Sequence, residues 1–106
     1  IYNIDDNWFV LDSQKNIDSV KSISILLMFD KDKIKITKEN IKTNYDFTFS
    51  DAGEWAVNII LQNVNKVNQG DELLKIWLDW NKSINISEVF VNFADGSQDV
   101  LSISKK

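Results

Sequence analysis

The residues able to do chemistry in this chain are a restricted set. Histidine and cysteine are both absent from its 106 residues. The usual general base is therefore missing, and nucleophilic triads lose the group that activates them. Structural zinc sites of the cysteine–histidine type are excluded on the same count, and disulfides cannot contribute. Paired carboxylates remain: Asp30 with Asp32, and Asp71 with Glu72. Both pairs fall in turn segments, where aspartate bonds its own backbone and acidic side chains stay solvated. A glycosidase holds its two carboxyls about 5 Å or about 6.5–9.5 Å apart across a cleft, and a chain this small has little spare length to build one. The inventory predicts a protein that is not an enzyme.

Oxygen-rich turns are also the ordinary ligands of calcium. Asp5-Asp6-Asn7 and Asp95-Gly96-Ser97-Gln98-Asp99 each supply several oxygens, which makes Asp5, Asp6, Asp95 and Asp99 the candidate calcium ligands. Neither stretch has the spacing of an EF-hand loop. No other cofactor is expected. Four tryptophans in so short a chain raise a different chemistry, the stacking of flat rings on sugar faces. Trp55 and Trp80 are in phase with the aliphatic residues of their strands and are expected in the core. Trp77 is out of phase with Ile76 and Leu78, and is expected at the surface. Trp8, beside Phe9 and Val10, is assigned to neither place.

These groups must be positioned by strands, because alternation with a period of two dominates and helical periodicity is scarce. Expected strands run over Trp8–Leu11, Lys21–Phe29, from Ile34 through Ile36, Tyr45–Phe49, Glu54–Asn63, Leu73–Trp80, Ser83–Phe93 and Val100–Ile103. Polar segments separate them, among them Asp30-Lys31-Asp32-Lys33, Asp51-Ala52-Gly53 and Asn68-Gln69-Gly70-Asp71. Thr37 could cap a helix start, but the room before Asn44 predicts a loop. About eight or nine strands at this spacing predict an all-β fold, a two-sheet antiparallel sandwich of jelly-roll or immunoglobulin-like form, as one domain over residues 1–106.

Charge and hydropathy remove further classes. The formal charge is −4 and every basic residue is lysine, which disfavours phosphate backbones and so nucleic acid as a partner. The longest apolar run, Ile25 to Phe29, is far short of the roughly 18 residues of a membrane-spanning helix. The chain opens directly into Ile1-Tyr2-Asn3, which predicts a piece cut from something longer.

One irregularity in the alternation points to function. Leu26 and Met28 oppose Leu27 and Phe29; Ile60 opposes Ile59 and Leu61; Leu73 and Trp77 oppose Leu74, Ile76 and Leu78. A two-layer sandwich wets its outer faces, so each of these strands should be polar on that side. Apolar residues there predict a contiguous exposed patch, which on soluble proteins usually marks an interface.

Several stretches together resemble the cohesin domain, the sandwich module with which scaffold proteins capture dockerin modules. Asn16-Ile17-Asp18 through Ile23-Ser24-Ile25-Leu26-Leu27-Met28-Phe29-Asp30 is similar to the family's strand ending in an aromatic residue and aspartate. Lys33-Ile34-Lys35-Ile36 matches its aliphatic continuation, Phe47 to Leu61 its central hairpin, and Gly70 to Ile76 its later strand. Val89 to Val91 followed by Ala94-Asp95-Gly96 is similar to the closing hairpin. The resemblance implies a non-catalytic, extracellular recognition module that docks a dockerin-like or neighbouring domain on one sheet face. Carried over by position, that face is Ser22, Ser24, Leu26, Met28, Ala56, Asn58, Ile60, Leu73, Lys75 and Trp77. Cellulosomal members of the family place asparagine and aspartate near the positions of Ser22 and Ser24. Asp51-Ala52-Gly53-Glu54-Trp55 also resembles a corner of bacterial immunoglobulin-like repeats. Two other functions stay open at this point: a carbohydrate-binding module of a secreted glycoside-active enzyme, with polysaccharide as partner, and a structural subunit of a surface assembly.

Overall fold

The computed structural model describes residues 2–5, 8–78 and 85–100. Nine strands are described: β1 (Tyr2–Asp5), β2 (Trp8–Asp12), β3 (Ile17–Met28), β4 (Ile41–Lys42), β5 (Asp46–Asp51), β6 (Ala56–Val67), β7 (Glu72–Trp77), β8 (Asn85–Phe93) and β9 (Gln98–Val100). They form one four-stranded sheet in the order β1-β2-β7-β4 and one five-stranded sheet in the order β5-β6-β3-β8-β9. Every pairing is antiparallel. The protein is thus an all-β, two-sheet sandwich, as the period-two alternation predicts.

The alternation creates the core directly. Phe9 and Leu11 of β2, Ile41 of β4 and Leu74 and Ile76 of β7 turn inward from one sheet. Ile23, Ile25 and Leu27 of β3, Val57, Ile59 and Leu61 of β6, and Val89 and Val91 of β8 turn inward from the other. Phe47 and Phe49 of the edge strand β5 pack against this cluster. Fully burying each such side chain is worth about 1.5–3 kcal/mol, so a cluster of this size holds the fold without cross-links.

At one end, β3 and β6 leave the simple alternation together. Ile17 and Val20 on β3 and Val64 and Val67 on β6 are buried, a spacing of three in place of two. The register slips between Ile17 and Ser22, and Ser19, Asn63 and Asn65 take the left-handed conformation, with φ of 59°, 55° and 67°. Asparagine tolerates that region better than most residues. The paired irregularity turns both strands so that their apolar residues still meet.

Turns bind the layers. Gly53, at φ 112°, completes the β5–β6 hairpin in a conformation that an L side chain rarely adopts. The amide of Ser13 donates to Asp71 O at 2.8 Å, and that of Gly70 to Ser13 O at 2.8 Å, so buried Ser13 fastens the β2–β3 loop to the β6–β7 turn.

Several elements differ from expectation. Ile34 to Ile36 is not a strand: Lys33 and Ile34 both donate their amides to Asp30 O, which carries the turn onward. Ile36 is nonetheless buried, and the strand forms later, at β4. Thr37 stands before a single 3-10 turn, Lys38–Asn40, and its amide donates to Asn40 Oδ1 at 2.9 Å. Trp55 is 53% exposed rather than core, because β6 starts at Ala56 and Trp55 belongs to the hairpin turn. Strand β1 was not anticipated. The last strand starts at Gln98; the expected strand residues 101–103, and Trp80, lie outside the described residues.

Candidate functional site

The outer face of the five-stranded sheet is set by register. Reading across from β5 to β9, one row holds Asp46, Gln62, Ser22, Asn92 and Gln98. The next holds Thr48, Ile60, Ser24, Phe90 and Val100, and a third holds Ser50, Asn58, Leu26 and Glu88. Met28 and Ala56 pair in the last row. Side chains opposite one another in such a ladder stand about 4.5–5.5 Å apart at Cβ. Phe90 and Val100 are directly opposite, and Leu26 sits diagonally from Ile60 and Phe90 and two residues from Met28, so the five form a chain of contacts on the side away from the core. Met28 is 41% exposed and Val100 55%.

The polar end of this face is organised by hydrogen bonds. Asn92 Nδ2 donates to Ser22 Oγ at 3.1 Å and to Ser24 Oγ at 3.4 Å, and Gln98 Nε2 donates to Asn92 Oδ1 at 2.8 Å. Three strands are thereby tied together on their outer side. The result is half apolar patch and half preset polar ladder, a pairing that can take an amphipathic element of another protein.

The ten residues expected to share one face divide. Ser22, Ser24, Leu26, Met28, Asn58 and Ile60 are brought together on β3 and β6. Ala56 lies at the right register but is buried beside the hairpin turn. Leu73, Lys75 and Trp77 belong to β7, which is in the opposite sheet, so they cannot join that face. Leu73 is not a surface residue at all. Asp12 pairs with Glu72 while Leu11 pairs with Leu74, so Leu73 is the extra residue of a bulge and is 1% exposed within the core. Missed by the expectation were Phe90, Asn92, Gln98 and Val100. Val89 and Val91 pointing inward signals that Phe90 and Asn92 point outward, but the sequence does not say that β8 lies beside β3.

On the opposite sheet, Lys75 and Trp77 share the outer face with Trp8 of β2 and Lys42 of β4. Trp8 is directly opposite Trp77.

The carboxylates behave as turn residues. Asp30 Oδ1 accepts the Asp32 amide at 3.0 Å, and Asp71 Oδ2 accepts the Asn68 amide at 2.8 Å. A small cleft is lined by Asp30, Lys31, Asp32, Glu54 and Trp55, closed on one side by Lys31 Nζ, which donates to Asp51 Oδ1 at 3.1 Å and Gly53 O at 2.6 Å. Asp95 Oδ1 accepts from Ser97 twice, from the hydroxyl at 2.6 Å and from the amide at 2.8 Å, and these bonds hold its pKa below the ordinary aspartate value. Asp99 lies 4.0 Å from Lys15. Among the described residues no three acidic groups converge as metal ligands, and Asp6 and the side chain of Asp5 lie outside them. Among the described residues, too, no helix is long and apolar enough to cross a membrane.

No protein-family model matches the chain, and no curated protein matches it. Among solved structures, it is similar to a cohesin module from a family 33 glycoside hydrolase of Clostridium perfringens. The TM-score is 0.72 at 16% identity, with 98% of this chain and 89% of that one covered. The fold is cohesin-like.

Proposed function

We propose that this cohesin-like sandwich is a non-catalytic recognition module that captures a partner protein on the outer face of its five-stranded sheet. The supporting observation is the contiguous set Leu26, Met28, Ile60, Phe90 and Val100, set beside the Ser22–Asn92–Gln98 ladder. Affinity comes from burying a few apolar side chains at the centre of the contact, while the ladder fixes orientation. The partner is a dockerin-like module or a neighbouring domain, working outside the cell. Glu88 and Asp46 give this face a negative rim, so the partner brings lysine or arginine to meet them.

The test is biolayer interferometry of the purified chain against a panel of dockerin modules and against domains from its own polypeptide. Leu26→Asp and Ile60→Asp should each weaken capture at least tenfold, about 1.4 kcal/mol or more, with the β-sheet circular dichroism unchanged. Trp77→Ala, on the opposite sheet, should leave capture as it is. Capture that survives both aspartate substitutions, or a panel that yields no partner, defeats the reading.

A further inference from the structure

The outer face of the four-stranded sheet carries a group of residues that protein docking does not use. Trp8 and Trp77 are register partners on β2 and β7 with outward parity, so two indoles emerge side by side. Trp77 is 39% exposed. One step along the same face, Lys75 stands between Val10 of β2 and Lys42 of β4. The ammonium of Lys42 lies 5.4 Å from the centroid of the Trp8 ring and that of Lys75 lies 5.9 Å from it. Lys75 has Glu72 at 3.7 Å, whereas no described carboxylate is within ion-pair distance of Lys42. In a chain of net charge −4, this spot gathers like positive charges against one aromatic ring.

Both halves of that arrangement call for the same ligand. A pair of flat indoles offers an apolar platform for the C–H faces of pyranose rings. Both ammonium groups lie close to the Trp8 ring centroid, at 5.4 and 5.9 Å, so an anion bound beside that ring meets two cations. Their long flexible stems allow them to leave the indole for an acid group and so uncover the ring. A neutral glycan would leave the Lys42 ammonium without a carboxylate partner among the described residues.

We infer that this face binds an acidic polysaccharide, with sugar rings stacked on Trp8 and Trp77 and a carboxylate or sulfate held by Lys42 and Lys75. The site is on the sheet opposite the proposed docking face, stands independently of it, and leaves both open at once.

The experiment is affinity electrophoresis with tryptophan fluorescence, using polygalacturonate, dextran sulfate and neutral dextran as probes. At least one anionic polymer should retard the protein and quench its fluorescence, binding at least tenfold tighter than dextran and weakening as salt rises. The Lys42→Gln/Lys75→Gln double variant should lose tenfold or more and most of the salt dependence. Trp77→Ala should lose a similar factor, and Trp77→Phe should recover most of it, which separates loss of a ring from loss of fold. Leu26→Asp should change nothing. Binding of neither anionic polymer, equal binding of dextran, or anion binding that survives the lysine and Trp77 substitutions each overturns the proposal.

Discussion

The two outer faces of the sandwich follow the same alternation, yet their side chains are held in different ways. On the five-stranded face, polar groups bond one another across strands: Asn92 reaches Ser22 and Ser24, and Gln98 reaches Asn92. The apolar residues beside them are left uncommitted. On the four-stranded face the order is reversed. There Lys42 and Lys75 lie over the Trp8 ring, Trp77 stands opposite Trp8 in the ladder and is 39% exposed, and among the described residues Lys42 has no carboxylate partner. The first surface offers grease framed by fixed hydrogen bonds, suited to a folded partner. The second offers rings and mobile cations, suited to a flexible charged polymer. Two surfaces of one small fold can thus serve different partners without competing for residues.

The sharpest way to break this comparison is to move between surface and core. Leu73 and Leu26 look alike in sequence, each an apolar residue on the wrong side of its strand. Leu73→Ala empties a fully buried position and should cost about 2–5 kcal/mol in urea unfolding. Leu26→Ala should cost about 1 kcal/mol or less, as a partly exposed residue whose neighbours can relax. Equal costs would mean that Leu73 is not a core residue and that the bulge beside it is misplaced.

A smaller effect probes the ladder. Asn92→Ala removes three side-chain bonds on the outer side of the five-stranded sheet and should cost about 0.5–1.5 kcal/mol, since each bond is part exposed and competes with water. The loss should concentrate at β9, whose Gln98 is held through Asn92. Amide hydrogen exchange at the β8–β9 pairing should accelerate more than exchange at β3–β6. A uniform change across the sheet would deny the ladder its role in fixing the edge.

How much of this was legible in the sequence depends on which link is asked about. Inward and outward parity along a single strand is written in the alternation, so the inner faces of β3, β6 and β8 follow from their residues alone. Membership of a sheet is not written there. A strand of either sheet shows one dry and one wet side, so β7 read as a neighbour of β3 and β6, and Lys75 and Trp77 were expected beside Leu26. Pairing across the fold depends on how the loops cross between layers, a property of the whole chain. Bulges hide for a related reason: one extra residue inverts parity, which is how Leu73 passed for a surface residue. Trp55 was expected in the core because the strand was placed from Glu54, two residues before β6 begins at Ala56. The resemblance in fold carried the overall architecture, but Phe90 and Asn92 could be placed on the face only once β8 was known to lie beside β3.

The smallest effect tests the turn that closes the five-stranded sheet. Ser97 donates its hydroxyl and its amide to Asp95 Oδ1, and the hydroxyl is the larger cause of the depressed pKa. Because the folded pKa lies below the unfolded one, the associated stabilisation is complete above the ordinary aspartate pKa. It drains away as pH falls through the depressed value, where the carboxylate at last takes up its proton. Ser97→Ala removes the hydroxyl and leaves the amide, so the Asp95 carboxyl should titrate nearer its ordinary value, without fully reaching it, in NMR observation of its side-chain carbon. Asp95 is solvent-exposed, so the change in overall stability should be slight and confined to acid pH. An unchanged titration in the variant would show that the Ser97 hydroxyl does not set the charge of this turn.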